Sequence, residues 1–288
     1  LCIFFLMRHE QKAKEPIIPL DLFSSTTFST SVILGFFSGA ALFSVSNFVP
    51  IFVQGALGET AAISGRVVTG VSFGWVTGSV VCGRLLNKYG FRSMAFSGSV
   101  IMLAGFVALN QITIASPWWH LFICTNWLGF GMGFVATSTL VAVQVGVPKR
   151  KMGVATSTVQ FFRSVGGTVG LSILGGVQLG AFQKGLLTEF VGEKTPALSR
   201  LIEQPHLILD RVSRSTIPQD AIHKVSLVLA NSIQEVFFLA LLVSIIGLFI
   251  SWKMPSFNPK QLSESVLQES QNMPVIQEEE IGVQSLET

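Results

Sequence analysis

The sequence predicts an all-α fold: a polytopic transmembrane helical bundle with six complete spans. Three observations predict it. Hydrophobic residues fill 49% of the 288 positions and charged residues only 12%, against roughly 25% charged in soluble domains. Between Arg92 and Lys149 there is no Asp, Glu, Lys or Arg, a stretch too long for one crossing of ~30 Å of hydrocarbon and long enough for two. Gly (27) and Phe (24) are both frequent, and glycine lets helix backbones approach closely in lipid, where the hydrophobic effect does not drive them together. Every backbone N–H and C=O inside lipid must be paired within its own segment, so the spans must be helices.

The elements follow in chain order. Residues 1–7 are apolar but too few to cross the hydrocarbon. Basic residues follow this run rather than precede it, and no small-residue cleavage site comes after, so it does not read as a signal peptide. It reads as the end of a truncated span, with the chain a C-terminal piece of a longer protein. Residues 8–30 read as a cytoplasmic linker. The six spans are expected at about 31–57, 64–84, 93–113, 119–145, 154–182 and 226–252, within one bundle over 31–253. The cluster Ser116-Pro117-Trp118-Trp119-His120 reads as an interfacial turn with its aromatic belt. A long connection, 183–225, is expected to carry short amphipathic helices around 196–212, and Pro218 suits the first turn of the sixth helix. The tail, 254–288, is polar, holds Glu278-Glu279-Glu280 and reads as disordered and cytoplasmic.

Orientation follows from Lys and Arg in the short connections. Arg8, Lys12 and Lys14, then Arg84, Lys88 and Arg92, then Lys149, Arg150 and Lys151 lie in alternate connections, while 58–63 and 114–118 hold no Lys or Arg. The basic connections are therefore cytoplasmic and 183–225 lies outside. A multi-pass protein of the plasma or inner membrane is expected.

The sharpest local pattern is Gly83-Arg84-Leu85-Leu86-Asn87-Lys88-Tyr89-Gly90-Phe91-Arg92. Physically it is a tight cytoplasmic turn, with Gly90 supplying the backbone freedom and Arg84, Lys88 and Arg92 facing the inner surface. By composition alone it is a positive-inside loop. Its spacing resembles the loop signature of the major facilitator superfamily, with Asn87 at the position that is acidic in the fuller pattern. Pro50 to Gly58 followed by Ser64-Gly65 is similar to the first crossing of the C-terminal half in that superfamily's fourteen-span multidrug:proton antiporter branch. Arg163-Ser164-Val165-Gly166-Gly167-Thr168-Val169-Gly170 resembles the branch's penultimate crossing, and the long outer connection fits too. The resemblance covers about residues 16–252. It implies the C-terminal half of a major facilitator fold, proton-coupled efflux of drugs or other lipophilic or cationic compounds, a cytoplasmic gating loop at 83–92, and an N-terminal transmembrane bundle upstream as partner. No cofactor or metal is implied.

Two charges interrupt the spans. Arg163 lies nine residues past Val154 and Glu235 nine past Ser226, each about 14 Å along its helix. Because the fifth and sixth spans run antiparallel, both are expected at similar depth, as candidates for proton coupling. The alternative is that Arg163 snorkels to the inner surface and Glu235 is wetted from outside. Gln54, Asn126, Gln144 and Gln160 either line a substrate path or hydrogen-bond across helices, the latter for ~0.6 kcal/mol each. Gly35/Gly39, Gly70/Gly74/Gly78, Gly129/Gly133 and Gly166/Gly170 are four apart, so each set shares one helix face and is expected to pack against a neighbour.

Several function classes are disfavoured. There is no basic stripe with interleaved aromatics for nucleic acid, and no GxxxxGK[ST] phosphate loop. Gly70-Val71-Ser72-Phe73-Gly74 fits the hydrolase GxSxG pattern by chance, since it lies mid-span without a strand-turn-helix context. Cys2, Cys82 and Cys124 form no CxxC pair and read as small buried hydrophobes. An enzyme is not expected. The expected partners are the bilayer, protons and a small-molecule substrate. The alternative is a non-transporting membrane binding or scaffold protein, or a half-transporter that dimerises.

Overall fold

The structure, a computed structural model, describes residues 20–190 and 219–256. The truncated span at 1–7, most of the linker, the helices expected around 196–212, Pro218 and the tail from 257 onward lie outside the described residues. Among those described every regular element is helical. A short 3-10 turn, Leu20–Ser24, leads into α1, Thr26–Ile51, which continues through a π-helical turn, Phe52–Ala56. A fifty-residue helix, Ala61–Asn110, is broken at Gly90 (φ 78°, ψ 169°) into α2 (61–89) and α3 (91–110). Then come α4, Trp118–Val145, a 3-10 turn, Lys149–Lys151, α5, Met152–Glu189, and α6, Gln219–Lys253.

Six crossings therefore arise from five continuous apolar helices, because the turn between the second and third crossings shrinks to one residue. The backbone of Gly90 occupies a region open essentially only to glycine. Most helices also outrun the expected spans. α1 starts at Thr26 rather than 31, α5 runs to Glu189 rather than 182, and α6 starts by Gln219 rather than 226. Hydropathy marks only the part of a helix that lies in hydrocarbon, whereas backbone pairing carries it on into the interface.

The turns follow from local chemistry. Pro50 removes a backbone donor inside α1, and the helix relaxes into wider i→i+5 pairing just after it, with Leu57 N donating to Phe52 O (3.0 Å). Thr60 caps α2 by accepting from Ile63 N (3.4 Å). In the α3–α4 turn, Ser116 Oγ accepts from Thr113 N (3.1 Å), and Pro117 leads into α4.

Two tight pairings build the bundle: α2 and α3 on α4, and α1 on α5. The helix α6 lies against α1, α3 and α5. Glycine makes both pairings possible. A methyl group on Gly74 would stand 2.0 Å from Asn126 O, and one on Gly129 2.0 Å from Val71 O. Gly78 and Gly133 interlock likewise with Phe130 O and Trp75 O, at 2.3 and 2.5 Å. In the second pairing, methyl groups on Gly39 and Gly166 would stand 2.2 Å from Arg163 O and 2.1 Å from Phe36 O. These are backbone-to-backbone contacts, and no side-chain rotation relieves them. Thr125 Oγ1 donates to Val67 O (2.9 Å) across the α2–α4 seam.

The inner end, defined by the basic turns, has its own small core of Leu22, Phe28, Val32, Val143, Val147, Ala155 and Val159. Cys82 and Cys124 are buried and free, with the Cys82 thiol directed at Phe134 O (3.6 Å).

Gly129→Leu is expected to force α2 off α4 and cost about 1–3 kcal/mol or more. Gly83→Leu, at a helical position with nothing within 4 Å, is expected to leave folding intact. Thermal stability of the two variants in one detergent checks the contrast.

Candidate functional site

Arg163 is the one described cation inside the bundle, and it is 5% exposed. Its place follows from the α1–α5 seam, because the close approach at Gly39 presses the Arg163 backbone against α1. The guanidinium then reaches polar groups on α5 and α4. Nη1 donates to Gln160 Oε1, and Nη2 to Thr139 Oγ1 (3.4 Å), whose hydroxyl itself donates to Val135 O (2.7 Å). Nε is buried with no hydrogen-bond partner, and no carboxylate pairs with the side chain, among the described residues. A buried cation held by neutral groups alone is costly. Arg163 is thus held inside rather than snorkelling to the inner surface.

Glu235 lies elsewhere. It is exposed on α6 and borders an open groove of about 640 Å³ between the outer halves of α5 and α6. Gly176, Gly180, Lys184, Asn231 and Ser232 also line this groove. Methyl groups on Gly176 or Gly180 would meet nothing within 4 Å, so the glycines leave this space open. The preceding Gln234 donates to Ile112 O (2.5 Å), just beyond the outer end of α3, which sets Glu235 level with the outer turn. The expected match in depth between Arg163 and Glu235 does not hold. The groove begins at Gly176, thirteen residues along α5 from Arg163, or about 20 Å. Counting both distances from sequence-derived span ends misplaced them, because α6 begins well before Ser226.

The neutral polar residues divide. Gln54, half-buried in the π-helical turn, donates to Ser64 Oγ (3.2 Å) on α2. Asn126 donates to Gly70 O (3.4 Å) within the α2–α4 seam. Both join helices. Gln160 is exposed and bound to Arg163. Gln144 is half-buried near the inner end of α4 and makes no side-chain hydrogen bond with another described residue.

In the 83–92 pattern, α2 stays helical through Asn87, Lys88 and Tyr89, and the chain turns at Gly90. Gly83, Arg84, Asn87 and Lys88 are exposed and Arg92 half-buried. Lys88 Nζ sits 5.3 Å from the centre of the Tyr89 ring. Gly129 and Gly133 lie in the α2–α4 seam, and Gly166 and Gly170 in the α1–α5 seam.

Two features were not anticipated. Ser157, Gln160, Ser164, Thr168 and Ser172 recur every three or four residues on the exposed face of α5. The serine and threonine hydroxyls bond back to their own helix, as in Thr168 Oγ1 to Ser164 O (3.0 Å) and Ser172 Oγ to Thr168 O (2.9 Å). The spacing is visible in the sequence, but which face stays open is not. At the inner end, Lys151 donates to Asp21 and fastens the chain before α1 to the start of α5. Phe23 stacks edge-on against Phe28 (5.0 Å) and Phe162 (6.2 Å) beside this ion pair.

Among the described residues, fold and site define a multi-pass helical membrane protein with one buried cation and one polar helix face left open. The chain belongs to the Major Facilitator Superfamily, whose family model matches residues 1–171. It is 34% identical over 244 residues to Multidrug resistance protein 3 of Bacillus subtilis, covering 83% of this chain and 47% of that protein. It is 36% identical over 183 residues to Multidrug transporter protein MdtP of the same organism, covering 62% of this chain and 33% of that one. Identity to a Tetracycline resistance determinant of Streptomyces rimosus is 27% over 201 residues, covering 69% and 57%. The chain thus spans between about a third and just over half the length of these relatives.

The Asp21 carboxyl is held below its ordinary range, first by the hydrogen bond from Lys151. Its contribution to stability is therefore full above the ordinary carboxylate pKa of about 4 and fades as pH falls through the lower folded value. Both groups are about half exposed, so the contribution is at most about 1 kcal/mol. Asp21→Asn is expected to melt slightly below the parent at pH 7, with the gap closing in acid. Melting curves over pH check the sign.

Proposed function

We propose that this chain forms the C-terminal half of a secondary active transporter of the plasma or inner membrane that exports drugs or other small lipophilic or cationic compounds in exchange for protons. The observation that carries the reading is the similarity to multidrug proteins over most of the crossing region, joined to a bundle with one polar helix face left open. That face, Ser157 to Ser172 on α5, is ill suited to lipid and well suited to a second bundle or a wet path between two bundles. The partner in this reading is an N-terminal transmembrane bundle of the same protein, and residues 8–30 belong to the linker between them. The polar tail, 254–288, lies in the cytoplasm.

Within this reading Glu235 carries the proton. Its carboxylate borders an open groove, so water and small molecules reach it, and it has no ion-pair partner among the described residues. Arg163 acts apart from it. It is a fixed positive charge in the wall, whose Gln160 neighbour faces the open side and reports what lies there. Gln144 and Gln160 are the better placed of the four polar residues for a substrate path, since Gln54 and Asn126 are committed to joining helices. The exposed cations at Arg84 and Lys88, with the Gly90 break, form the cytoplasmic gating loop.

In the whole protein, Glu235→Gln is expected to abolish drug-dependent proton movement while leaving the amount of protein in the membrane unchanged. Dye efflux and proton flux in the same vesicles test this, and unchanged coupling would contradict the role of Glu235. The 288-residue chain alone is expected not to transport, because the cavity has only one wall.

A further inference from the structure

We propose that the inner end of the α3–α6 edge is a binding site for the headgroup of an anionic glycerophospholipid, held chiefly by Arg92 and Lys253. The inference is independent of the transport reading.

Charge is distributed unevenly along the bundle. The inner end carries Arg84, Lys88, Arg92, Lys149, Arg150, Lys151 and Lys253, and the only acidic side chain there among the described residues is Asp21, already bound to Lys151. At the outer end Arg66, Lys184 and Lys224 are matched by Glu59, Glu189 and Glu235, and Lys224 pairs with Glu189 (3.8 Å). Among the described residues the excess of positive charge thus lies at one end. The Lys151–Asp21 pair accounts for one cation, and Arg92 and Lys253 at the α3–α6 corner have no ion-pair partner among the described residues.

Register places two of these cations together. The helices α3 and α6 run antiparallel as neighbours. Ile112 lies opposite Gln234 through their hydrogen bond, and Ser99 shares a small cavity with Ser244 and Gly247. In each pairing the residue numbers sum to about 345, and the same sum sets Arg92 opposite Lys253. Phe91 and Met254, the neighbours of these two, are both 1% exposed within the main core, so the corner beneath the cations is closed and apolar. Around it Tyr89 and Trp252 are exposed, and aromatic side chains of this kind sit at headgroup level. Lys88 leans over Tyr89. Two cations over an apolar corner flanked by a Tyr and a Trp match a phosphate headgroup whose acyl chains lie along the exposed apolar side chains of α3 and α6, among them Phe96, Val100, Ile246 and Phe249. Basic sites between transmembrane helices on the cytoplasmic side bind such headgroups.

The test is the binding of phosphatidylglycerol and phosphatidylcholine to the purified full-length protein, followed by native mass spectrometry. Each basic residue near an anionic lipid contributes about fivefold in affinity. Arg92→Gln with Lys253→Gln is therefore expected to lower phosphatidylglycerol binding about thirtyfold and to leave phosphatidylcholine binding unchanged. Lys149→Gln with Arg150→Gln, which removes as much charge from another corner of the same end, is expected to change it less than twofold. Arg92→Lys with Lys253→Arg keeps both charges and is expected to bind as the parent does, which separates loss of charge from loss of folding. Equal losses at the two corners, equal binding of the two lipids, loss in the charge-keeping variant, or displacement by millimolar inorganic phosphate would each overturn the proposal.

Discussion

The contact on which the bundle depends is the backbone-to-backbone approach of α2 to α4. Lipid offers no hydrophobic gain for bringing two apolar helices together, so the pairing has to come from dispersion and from polar contacts made at close range. Gly74, Gly78, Gly129 and Gly133 remove the side chains that would hold these helices apart. Thr125 and Asn126 then reach carbonyls of the facing helix that would otherwise lie too far away. The α1–α5 pairing at Gly39 and Gly166 repeats the device. Large aromatic side chains fill the wider spaces around these seams, with Phe28, Phe52, Phe91, Phe106, Phe182 and Phe237 all fully buried.

The same seams decide where charge can sit. Arg163 lies in the α1–α5 seam by its backbone, so its side chain has no route to water past α1 and is held by Gln160 and Thr139. Glu235 lies where α5 carries Gly176 and Gly180 and has nothing packed on them, so it borders open space. One charge is fixed and dry and the other reachable and wet. That difference suits separate roles in the proposed transport cycle better than a direct ion pair between them.

Much of this was legible in the sequence, for reasons that vary by element. The helical class and the six crossings follow from hydropathy, because lipid forbids other backbones. Glycines four apart identify packing faces, because that spacing keeps to one side of a helix. The Gly90 turn was legible as a turn, but its contraction to one residue was not, since α2 has no reason in hydropathy to remain helical through Asn87-Lys88-Tyr89. Depth was the least legible quantity. α6 starts outside the hydrocarbon, where polar residues give no sign of a helix, so a count from Ser226 placed Glu235 too close to Arg163. Partners separated by long stretches of chain, such as Thr139 with Arg163 or Asp21 with Lys151, require the fold before they can be named.

The number of crossings is the most exposed point, because a fifty-residue helix read as one span would reverse the sidedness of everything after it. Accessibility of single cysteines tests it directly, in a background with Cys2, Cys82 and Cys124 replaced. A membrane-impermeant thiol reagent is applied to intact cells and to inverted vesicles. The break at Gly90 predicts that Ala61→Cys and Ala115→Cys are labelled from one side and Asn87→Cys and Arg150→Cys from the other. Labelling of Ala61→Cys and Ala115→Cys from opposite sides would mean a single crossing between them and would contradict the six-crossing bundle.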